Sequence, residues 1–498
     1  MTNLADLLMP SHPPDARAIW EAGRWFSYGE LATRARQFAA LVGAIPTRGD
    51  RPIVVLASDN SFHLAAAYLG VIYAGAIAAP LPSLPDAALS AILAETSPGL
   101  VLADAAHVEQ LQRVTTQSVL PLDLPLDDDA HSATSLDPDA LALLLYTSGS
   151  TGRPRGVMLS SNNLGFSAHQ ILACLPLTSR DRALVTLPFH YTYGLSVLHT
   201  HLHRGGSLVL ANRTFIDDIM GLMADLGVTG LPVVPSTLNM LVGRGGLQTR
   251  PLPSLRYVMC SGSKLAEPIA RELLNIVPQA SLHVRYGTTE STAAASFLAP
   301  DRLRDKMGSI GRGLPSAGLS VERDDGSPIE PGSDEEGGIV IRGAHVALGY
   351  FRDEDANARS FKDGAFHTGD VARVDAEGFV FIVGRAKQFV KTGGHRVAPQ
   401  QVEDVVLRMP EVEEAAVFAI PDPIRGEALV AAVVARKGVV LRADLLRAFC
   451  IAALPVFMVP VRFIILADLP RGSSGKLDRV QLVQLALSPA SKPGRSAS

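Results

Sequence analysis

The first stretch of the chain whose residues could do chemistry is a glycine- and hydroxyl-rich segment after an apolar run. The segment, TSGSTG, consists of Thr147, Ser148, Gly149, Ser150, Thr151 and Gly152, and two arginines, Arg153 and Arg155, follow it. Backbone N–H groups freed by glycine, hydroxyl donors and guanidinium groups are what a polyphosphate needs. The GxxxxGK[ST] spacing of a P-loop is absent, and a Ser/Gly-rich surface loop has a similar composition.

A longer motif surrounds this segment and decides between the two interpretations. Residues 144–156, LLYTSGSTGRPRG, resemble the signature YTSGSTGxPKG of the adenylate-forming superfamily. That superfamily holds acyl-CoA synthetases, the adenylation domains of nonribosomal peptide synthetases and beetle luciferases. Arg155 stands where the family usually has lysine, so the charge is kept with a different geometry. The resemblance implies that the segment binds ATP.

A second polar segment, YGTTE at Tyr286–Glu290, follows the apolar run Leu282–Val284. A hydroxyl beside a carboxylate suits a contact with phosphate and Mg²⁺, since carboxylate oxygen is a hard ligand. We expect Glu290 to bind Mg²⁺, Thr289 to donate to the α-phosphate and Tyr286 to stack on the base. The segment is similar to the family's YGxTE, which adds Gly287 and Thr288 to the predicted nucleotide site.

Two further motifs follow in the family's order. In HTGD, at residues 367–370, a lone aspartate is ordinarily a cap or turn former. The resemblance to the family's TGD implies that Asp370 accepts hydrogen bonds from both ribose hydroxyls. Residues 384–394, GRAKQFVKTGG, resemble GRxDDxIKxxG. By this resemblance Arg385 holds the ribose or a phosphate, Lys387 marks the hinge, and the thiol approaches past Lys391, Gly393 and Gly394. An exposed linker charge is the alternative for Lys387.

The last motif is PRGSSGKL at residues 470–477, which resembles the family's PxTxSGKxxR. A lone lysine near a C-terminus is ordinarily only solvated, and its place as the final motif of the series favours a role. The resemblance implies that Lys476 orients the substrate carboxylate and neutralises charge that builds on the α-phosphate.

Together these motifs imply a two-step reaction. A carboxylic acid attacks ATP in the presence of Mg²⁺, pyrophosphate leaves, and a thiol takes the acyl group from the acyl-adenylate. The thiol belongs to CoA or, as the alternative, to the phosphopantetheine of a carrier protein that a stand-alone adenylation enzyme loads. An oxidative luciferase-like enzyme has no positive support. A non-catalytic nucleotide sensor is disfavoured because Lys476, Glu290 and Asp370 are all present.

By family position, the acid pocket combines aromatic and small polar residues. The predicted residues are His190, Tyr191, Tyr193, Gly194, Ser236, Ser261, Gly262 and Ser263. Such walls fit an acid of modest size that is partly apolar or aromatic. Ordinary core packing would explain His190 and the tyrosines equally well. The amine-binding FDxS segment of amino-acid-activating relatives is replaced by YGLSVLHTH, which favours an acid without an α-amine.

The elements around these motifs predict an α/β fold. Continuous apolar runs such as Pro52–Ala57, Leu141–Tyr146 and Leu255–Cys260 alternate with helical patterns, which indicates largely parallel sheets covered by helices. After about Gly311, short strands, including ALGYF at residues 347–351, indicate a smaller β-rich subdomain. We therefore expect an N-terminal domain over residues 1–385, a mobile α+β domain over 386–486 and a loose tail over 487–498.

Composition supports a folded chain of more than one domain. The 498 residues are 47% hydrophobic and 19% charged with net charge −4, which gives no sign of nucleic-acid binding. The uncharged stretch Leu64–Pro82 raises the question of a membrane span, but Gly70, Gly75, Pro80 and Pro82 interrupt it. We expect a buried helix and strand there. The three cysteines, Cys174, Cys260 and Cys450, are expected to be free thiols. We read no signal peptide and expect a cytoplasmic protein.

Overall fold

The computed structural model describes Leu4 and residues 11–46, 51–127, 134, 137–148, 154–212, 216–243, 246–471 and 477–488, apart from the side chains of Ser148 and Lys387.

The strands in chain order are β1 Arg17–Glu21, β2 Arg24–Ser27, β3 Ile53–Ala57, β4 Ile77–Leu81, β5 Leu100–Ala103, β6 Val119–Pro121, β7 Leu141–Ser148, β8 Pro154–Ser160, β9 Arg182–Val185, β10 Ser207–Leu210, β11 Gly230–Val233, β12 Tyr257–Cys260, β13 Ser281–Tyr286, β14 Ser296–Leu298, β15 Arg312–Gly313, β16 Gly318–Glu322, β17 Gly337–Arg342, β18 Gly349–Tyr350, β19 Phe361–Lys362, β20 Ala365–Val374, β21 Val380–Arg385, β22 Val390–Thr392, β23 His395–Val397, β24 Val412–Asp422, β25 Gly426–Ala435 and β26 Arg462–Leu466.

The helices are α1 Tyr28–Gly43, α2 Phe62–Tyr73, α3 Asp86–Thr96, α4 Ala105–Val114, α5 Ser161–Cys174, α6 Thr192–Arg204, α7 Ile216–Asp225, α8 Pro235–Gly243, α9 Gly246–Thr249, α10 Glu267–Ile276, α11 Glu354–Ser360, α12 Pro399–Val406, α13 Ala443–Ala453 and α14 Arg479–Leu487, with 3₁₀ turns at Thr289–Ser291, Pro300–Arg302, Ala386–Gln388 and Val456–Met458.

Two large sheets form the first part of the fold, and both are parallel at their centres. The nine-stranded sheet has the order β15-β14-β13-β12-β11-β9-β10-β1-β2, and the seven-stranded sheet has the order β18-β8-β7-β4-β3-β5-β6. Antiparallel pairs occur only towards the edges, at β1–β2, β13–β14, β14–β15, β7–β8 and β8–β18, among the residues described. The predicted α/β class with largely parallel sheets is confirmed.

The two sheets share one apolar core because their strands are buried on both faces. In β9, Ala183 and Val185 face the same core as Val54 and Leu56 of β3, and helices α1, α2, α5 and α6 contribute to it. Leu184 points the other way, into a core with helices α7, α8 and α10. This alternation explains why the strands read as continuous apolar runs in the sequence.

A third sheet, β16-β17-β20-β19 with β21 paired to β20, forms the predicted β-rich part. One expectation about it is wrong. The ALGYF strand does not belong to this sheet, because β18 pairs with β8 in the seven-stranded sheet. The amide of Leu348 donates to the carbonyl of Met158, and that of Phe351 donates to the carbonyl of Gly156. Hydrogen-bond partners more than 180 residues away in sequence decide the placement of this short strand.

The fourth sheet, β23-β22-β25-β24 with β26 paired to β25, contains the strands after residue 389. Its two faces carry separate cores, covered by α12 and α13 on one side and by α14 on the other. Helix α14 is absent from the expectations drawn from the sequence. The predicted tail lies outside the described residues except for Leu487, which ends α14, and Ser488.

The stretch Leu64–Pro82 contains most of α2, from Phe62 to Tyr73, and then the strand β4. Within the described ranges, no helix combines the length and the apolar character that a membrane span requires. All three cysteines are free thiols, and Cys260 and Cys450 are buried while Cys174 is half-buried.

Candidate active site

The predicted polyphosphate segment connects two antiparallel strands. Strand β7 pairs with β8 so that Thr147 lies opposite Arg155 and Ser148 opposite Pro154. The predicted residues Gly149, Ser150, Thr151 and Gly152 lie outside the described residues. The strand pairing holds the two residues that flank this segment, Ser148 and Pro154, directly opposite each other.

Arg155 and Glu290 are brought together by Tyr350. The Nε of Arg155 lies 3.0 Å from Oδ2 of Asp353, and its guanidinium lies over the Tyr350 ring, 5.6 Å from the centroid. The Tyr350 hydroxyl donates to Oε1 of Glu290 at 2.8 Å. Burial, with the adjacent Glu290 carboxylate, raises the pKa of Tyr350. A cation and a carboxylate thus both contact one tyrosine, beside the start of β8.

Asp370 is held by two residues of the predicted nucleotide site. The residue is 5% exposed; Oδ2 accepts from the Tyr286 hydroxyl at 2.7 Å, and Oδ1 accepts from Nε of Arg385 at 2.7 Å. Arg385 stands directly opposite Asp370 in the β20–β21 pair. Burial, then the Asp370 carboxylate, raises the pKa of Tyr286. Each carboxylate oxygen has a further lone pair, so the group can still accept hydrogen bonds from a ligand.

The YGTTE turn owes its shape to Gly287 and Thr288. A Cβ on Gly287 would lie 2.3 Å from the carbonyl oxygen of Ala293, so only glycine fits there. Thr288 caps the 3₁₀ turn by accepting from the Ser291 amide at 3.2 Å. The turn places Thr289 and Glu290 one after the other at the end of β13.

Several predicted acid-pocket residues follow the carboxyl ends of neighbouring parallel strands. Ser236 lies in α8, which begins two residues after β11, and Ser261 directly follows β12. Ser261 is 4% exposed and its amide donates to the Val233 carbonyl at 3.2 Å, whereas Ser263 is exposed. Gly262 has a φ of +98°, a conformation that favours glycine. Ligands of open α/β sheets bind at this edge.

The remaining pocket residues surround the start of α6. Gly194 contacts the preceding turn so closely that a Cβ there would lie 2.2 Å from the Pro188 carbonyl oxygen. The Tyr193 hydroxyl donates to the Met259 carbonyl at 2.7 Å. His190 lies edge-on to the Tyr191 ring with centroids 4.4 Å apart, and burial lowers the pKa of His190 to about 4. His190 is therefore neutral at pH 7.

One residue of this region was missed from the sequence. Arg285, directly before the YGTTE motif, is 2% exposed, and its guanidinium lies 4.3 Å from the centroid of the Tyr193 ring. Its Nη1 and Nη2 donate to Oγ of Ser196 at 3.2 and 3.3 Å. The available signal was a cation two residues after His283 in a strand, so that both would point to the same face.

The predicted thiol-approach residues belong to the fourth sheet. Gly393 and Gly394 form the β22–β23 turn with φ values of +56° and +82°. The Lys391 amide donates to Oε2 of Glu427, and the Gly393 amide donates to the Arg425 carbonyl. These bonds stay within the fourth sheet and its turns. They do not connect the hairpin to Asp370, Tyr286 or Arg385. Lys387 lies in the 3₁₀ turn between β21 and β22, and Lys476 lies outside the described residues.

Glu290 carries a carboxylate that is suited to Mg²⁺. In the described part of the chain no three metal-binding side chains cluster, and the hydrogen bond from the Tyr350 hydroxyl goes to Oε1 of Glu290 rather than to Oε2. Mg²⁺ is commonly held by one or two carboxylates together with substrate phosphates and water. Glu290, which is linked through Tyr350 to Arg155, fits that pattern.

Comparisons with known proteins agree with this geometry. The AMP-binding enzyme family matches residues 9–351, and the AMP-binding enzyme C-terminal domain matches residues 401–476. Oxalate–CoA ligase of Arabidopsis thaliana is 30% identical over 94% of this chain and 95% of its own. Feruloyl-CoA synthase of an Amycolatopsis species is 30% identical over 93% and 94%.

A solved structure also superimposes along nearly the whole chain. It is the O-succinylbenzoate coenzyme A synthetase of Bacillus subtilis in complex with ATP and a magnesium ion. It has a TM-score of 0.84, is 28% identical, and the match covers 96% of this chain and 99% of that one.

Proposed function

This chain belongs to the family of AMP-binding enzymes, and we propose that its site joins a carboxylic acid to AMP and then transfers the acyl group to coenzyme A. The enzyme is an AMP-forming acid–thiol ligase that uses ATP and Mg²⁺. The observation that carries the proposal is the convergence of Tyr286, Asp370 and Arg385, residues up to 99 positions apart, beside the turn that holds Glu290.

In the first step, a carboxylate oxygen of the acid attacks the α-phosphorus of ATP, and the bond to the bridging oxygen of pyrophosphate breaks. We assign Asp370 to the ribose hydroxyls, Arg385 to the ribose or a phosphate, Tyr286 to the base and Thr289 to the α-phosphate. The segment from Thr147 to Gly152, with Arg155, binds the leaving pyrophosphate. Mg²⁺ on Glu290 would neutralise phosphate charge, and Lys476 would orient the acid.

In the second step, a thiol sulfur attacks the acyl carbonyl, and the carbon–oxygen bond to AMP breaks. Coenzyme A is the acceptor of the relatives named above. A carrier protein's phosphopantetheine is the second candidate, because it presents the same thiol. The Lys391, Gly393 and Gly394 hairpin is the proposed thiol approach.

We further propose the division into residues 1–385, 386–486 and 487–498, with a hinge at Lys387. The segment 386–388 supports it, because the strands before it belong to the third sheet and those after it to the fourth. Lys264 forms an ion pair with Asp404 of α12, so a rotation about this hinge would have to break that contact.

Acid-dependent exchange of pyrophosphate into ATP tests the proposal. We expect exchange with at least one acid from a panel of aliphatic, aromatic and dicarboxylic acids, lost in Lys476→Ala and kept in the control Lys437→Ala, whose side chain is exposed. Exchange with no acid, or equal exchange in Lys476→Ala, would contradict it. Offering CoA and a phosphopantetheinylated carrier in turn then identifies the acceptor.

A further inference from the structure

A serine, a histidine and an aspartate form a hydrogen-bonded series at one edge of the seven-stranded sheet. Oγ of Ser83 lies 2.9 Å from Nε2 of His107, and Nδ1 of the same ring lies 2.6 Å from Oδ1 of Asp104. No step of the proposed two-step reaction uses these three residues. Their order and spacing are those of the Ser–His–Asp group that activates the serine of hydrolases, which is recognised by its geometry and not by sequence position.

The parallel sheet brings the three residues together. Strands β4 and β5 both pair with β3, so their carboxyl ends lie at the same edge of the sheet. Ser83 follows β4 by two residues, Asp104 directly follows β5, and His107 lies in the first turn of α4. Ser83 is exposed, whereas the side chains of His107 and Asp104 are only 14% and 29% exposed. The serine is therefore accessible to a substrate, while its two partners are partly shielded from water.

The contacts of Asp104 fix the tautomer of His107. Oδ1 also accepts from the amides of Ala106 and His107 at 3.1 Å each, and Oδ2 accepts from the Asp59 amide at 3.0 Å. Burial acts to raise the pKa of Asp104, but the hydrogen bonds from His107 and from the Asp59 amide outweigh it, so the pKa is lowered and the carboxylate is ionised at pH 7. An ionised carboxylate can only accept, so Nδ1 carries the proton, and Nε2 of the neutral ring accepts from the Ser83 hydroxyl.

Helix capping accounts for only part of this arrangement. Asp104 caps α4 through the two amides, and an aspartate needs no histidine for that role. The contact of His107 with Ser83 adds a link to a different segment, 24 residues earlier in the chain. Helix α3 begins at Asp86, three residues after Ser83, and no side chain caps its first turn. Amides at a helix start have no acceptor within the helix, so they can stabilise an oxyanion that forms on a substrate.

We propose that Ser83, His107 and Asp104 form a second acyl-transfer site, which hydrolyses small activated acyl groups, esters and thioesters, without ATP. Oγ of Ser83 attacks the acyl carbonyl while its proton passes to Nε2 of His107. The carbon–oxygen or carbon–sulfur bond then breaks, and the leaving alcohol or thiol takes that proton. Water attacks the resulting acyl-serine ester and gives a proton to Nε2, which returns it to Oγ as the carboxylic acid leaves.

A short series of contacts connects this site with the predicted acid pocket. Asp59, whose amide bonds to Asp104, precedes Asn60. The Asn60 side chain donates to the Leu187 carbonyl and accepts from the Phe189 amide, at 2.8 Å each, directly before His190. This connection favours thioesters of the acids that the proposed ligase activates, although the hydrolysis itself does not depend on that function.

Hydrolysis in the absence of ATP tests the inference. The full-length enzyme is given p-nitrophenyl acetate, p-nitrophenyl butyrate and butyryl-CoA, and release of nitrophenolate or of free thiol is measured. We expect turnover above the buffer rate, reduced at least about 100-fold in Ser83→Ala and His107→Gln, since general-base catalysis contributes about 10²–10⁴-fold. Asp104→Asn keeps a side chain that caps α4 and should lose a similar factor, because an amide no longer fixes the tautomer. Ser90→Ala, at an exposed serine of α3, is the control and should match the wild type.

A fluorophosphonate probe gives a second readout that does not depend on the choice of acyl substrate. Oγ of Ser83 should attack its phosphorus with loss of fluoride, and mass spectrometry of the modified peptide locates the label. Labelling should be at least about tenfold slower in Asp104→Asn than in the wild type. Turnover of none of the three substrates, turnover that Ser83→Ala leaves unchanged, or labelling that does not include Ser83 would overturn the assignment. Because these assays contain no ATP, their outcome leaves the proposed ligase activity to its own test.

Discussion

The hydroxyl of Tyr286 donates a 2.7 Å hydrogen bond to Oδ2 of Asp370, 84 residues further along the chain. Tyr286 ends a strand of the nine-stranded sheet, whereas Asp370 lies in the third sheet. The contact therefore fixes the two sheets relative to each other at the proposed ribose site.

Asp370→Asn tests the proposed role of this carboxylate. An amide has one acceptor oxygen, so it cannot accept from Tyr286, Arg385 and a ribose together. We expect kcat/KM for ATP to fall about 100-fold, chiefly through KM, because hydrogen bonds to a charged group are worth about 1.5–3 kcal/mol each. The control is Asp363→Asn, at an exposed turn residue with a φ of +50° that asparagine tolerates. An unchanged KM for ATP in Asp370→Asn would refute the assignment.

Arg155 is the residue at which this chain departs from the usual lysine of its motif. Its contacts with Asp353 and the Tyr350 ring use the guanidinium plane, which lysine lacks. Arg155→Lys should retain charge and cost less than about tenfold in kcat/KM for ATP, whereas Arg155→Met should cost at least about tenfold more. Steady-state kinetics at varied ATP measure both. Equal losses of kcat/KM in the two variants would show that the positive charge of Arg155 does not contribute to the use of ATP.

Lys387→Pro tests the hinge. Proline restricts the backbone at the turn between the third and fourth sheets. We expect pyrophosphate exchange to stay within about threefold of the wild type and thioester formation to fall at least about tenfold, since only the second step needs the rotated arrangement. Lys387→Ala is the matched control, because it removes the same side chain and leaves the backbone free. Parallel loss of both activities in the proline variant would contradict the hinge.

Buried histidines should make the fold sensitive to mild acid. His345 is fully buried, neither ring nitrogen has a partner among the described residues, and burial lowers its pKa from 6.5 to about 4. The unfolded chain takes up this proton below pH 6.5 while the folded chain stays neutral down to about pH 4. Stability that is present above pH 6.5 is therefore lost as the pH falls, by about 2 kcal/mol at pH 5 for this residue.

His345→Leu should remove that contribution. The difference in Tm between pH 7.5 and pH 5 should be smaller in the variant than in the wild type, whatever the variant's Tm at pH 7.5. His12→Leu is the comparison, since His12 bonds a carbonyl through its ring at a half-buried position. A pH dependence that His345→Leu leaves unchanged would show that other groups control the acid sensitivity.

The sequence predicted the elements around the site better than the contacts within it. Strand β7 follows from the apolar run Leu141–Tyr146, and helix α2 and strand β4 follow from an apolar stretch that glycines and prolines interrupt. Asp370 and Arg385 were each singled out, but their mutual contact depends on strand register, which no motif encodes. The bridge from Arg155 through Tyr350 to Glu290 joins three distant segments, so local pattern could not predict it.

Arg285 shows a different limit. The motif begins at Tyr286, so the comparison of motifs does not include Arg285. The role of an arginine depends on what its side chain contacts. Only the fold reveals that this arginine points into the interior beside Tyr193 and Ser196.

The pairing of β18 with β8 has a consequence for protein engineering. Residues 346–351 come from the middle of the β-rich segment, yet they complete the seven-stranded sheet and carry Tyr350 to Glu290. A chimera that exchanges the third sheet between relatives as one block would also replace β18, which belongs to the seven-stranded sheet. The pairing of β18 with β8 would be preserved by crossover points on both sides of residues 346–351. Those six residues would then stay with the protein that supplies the seven-stranded sheet.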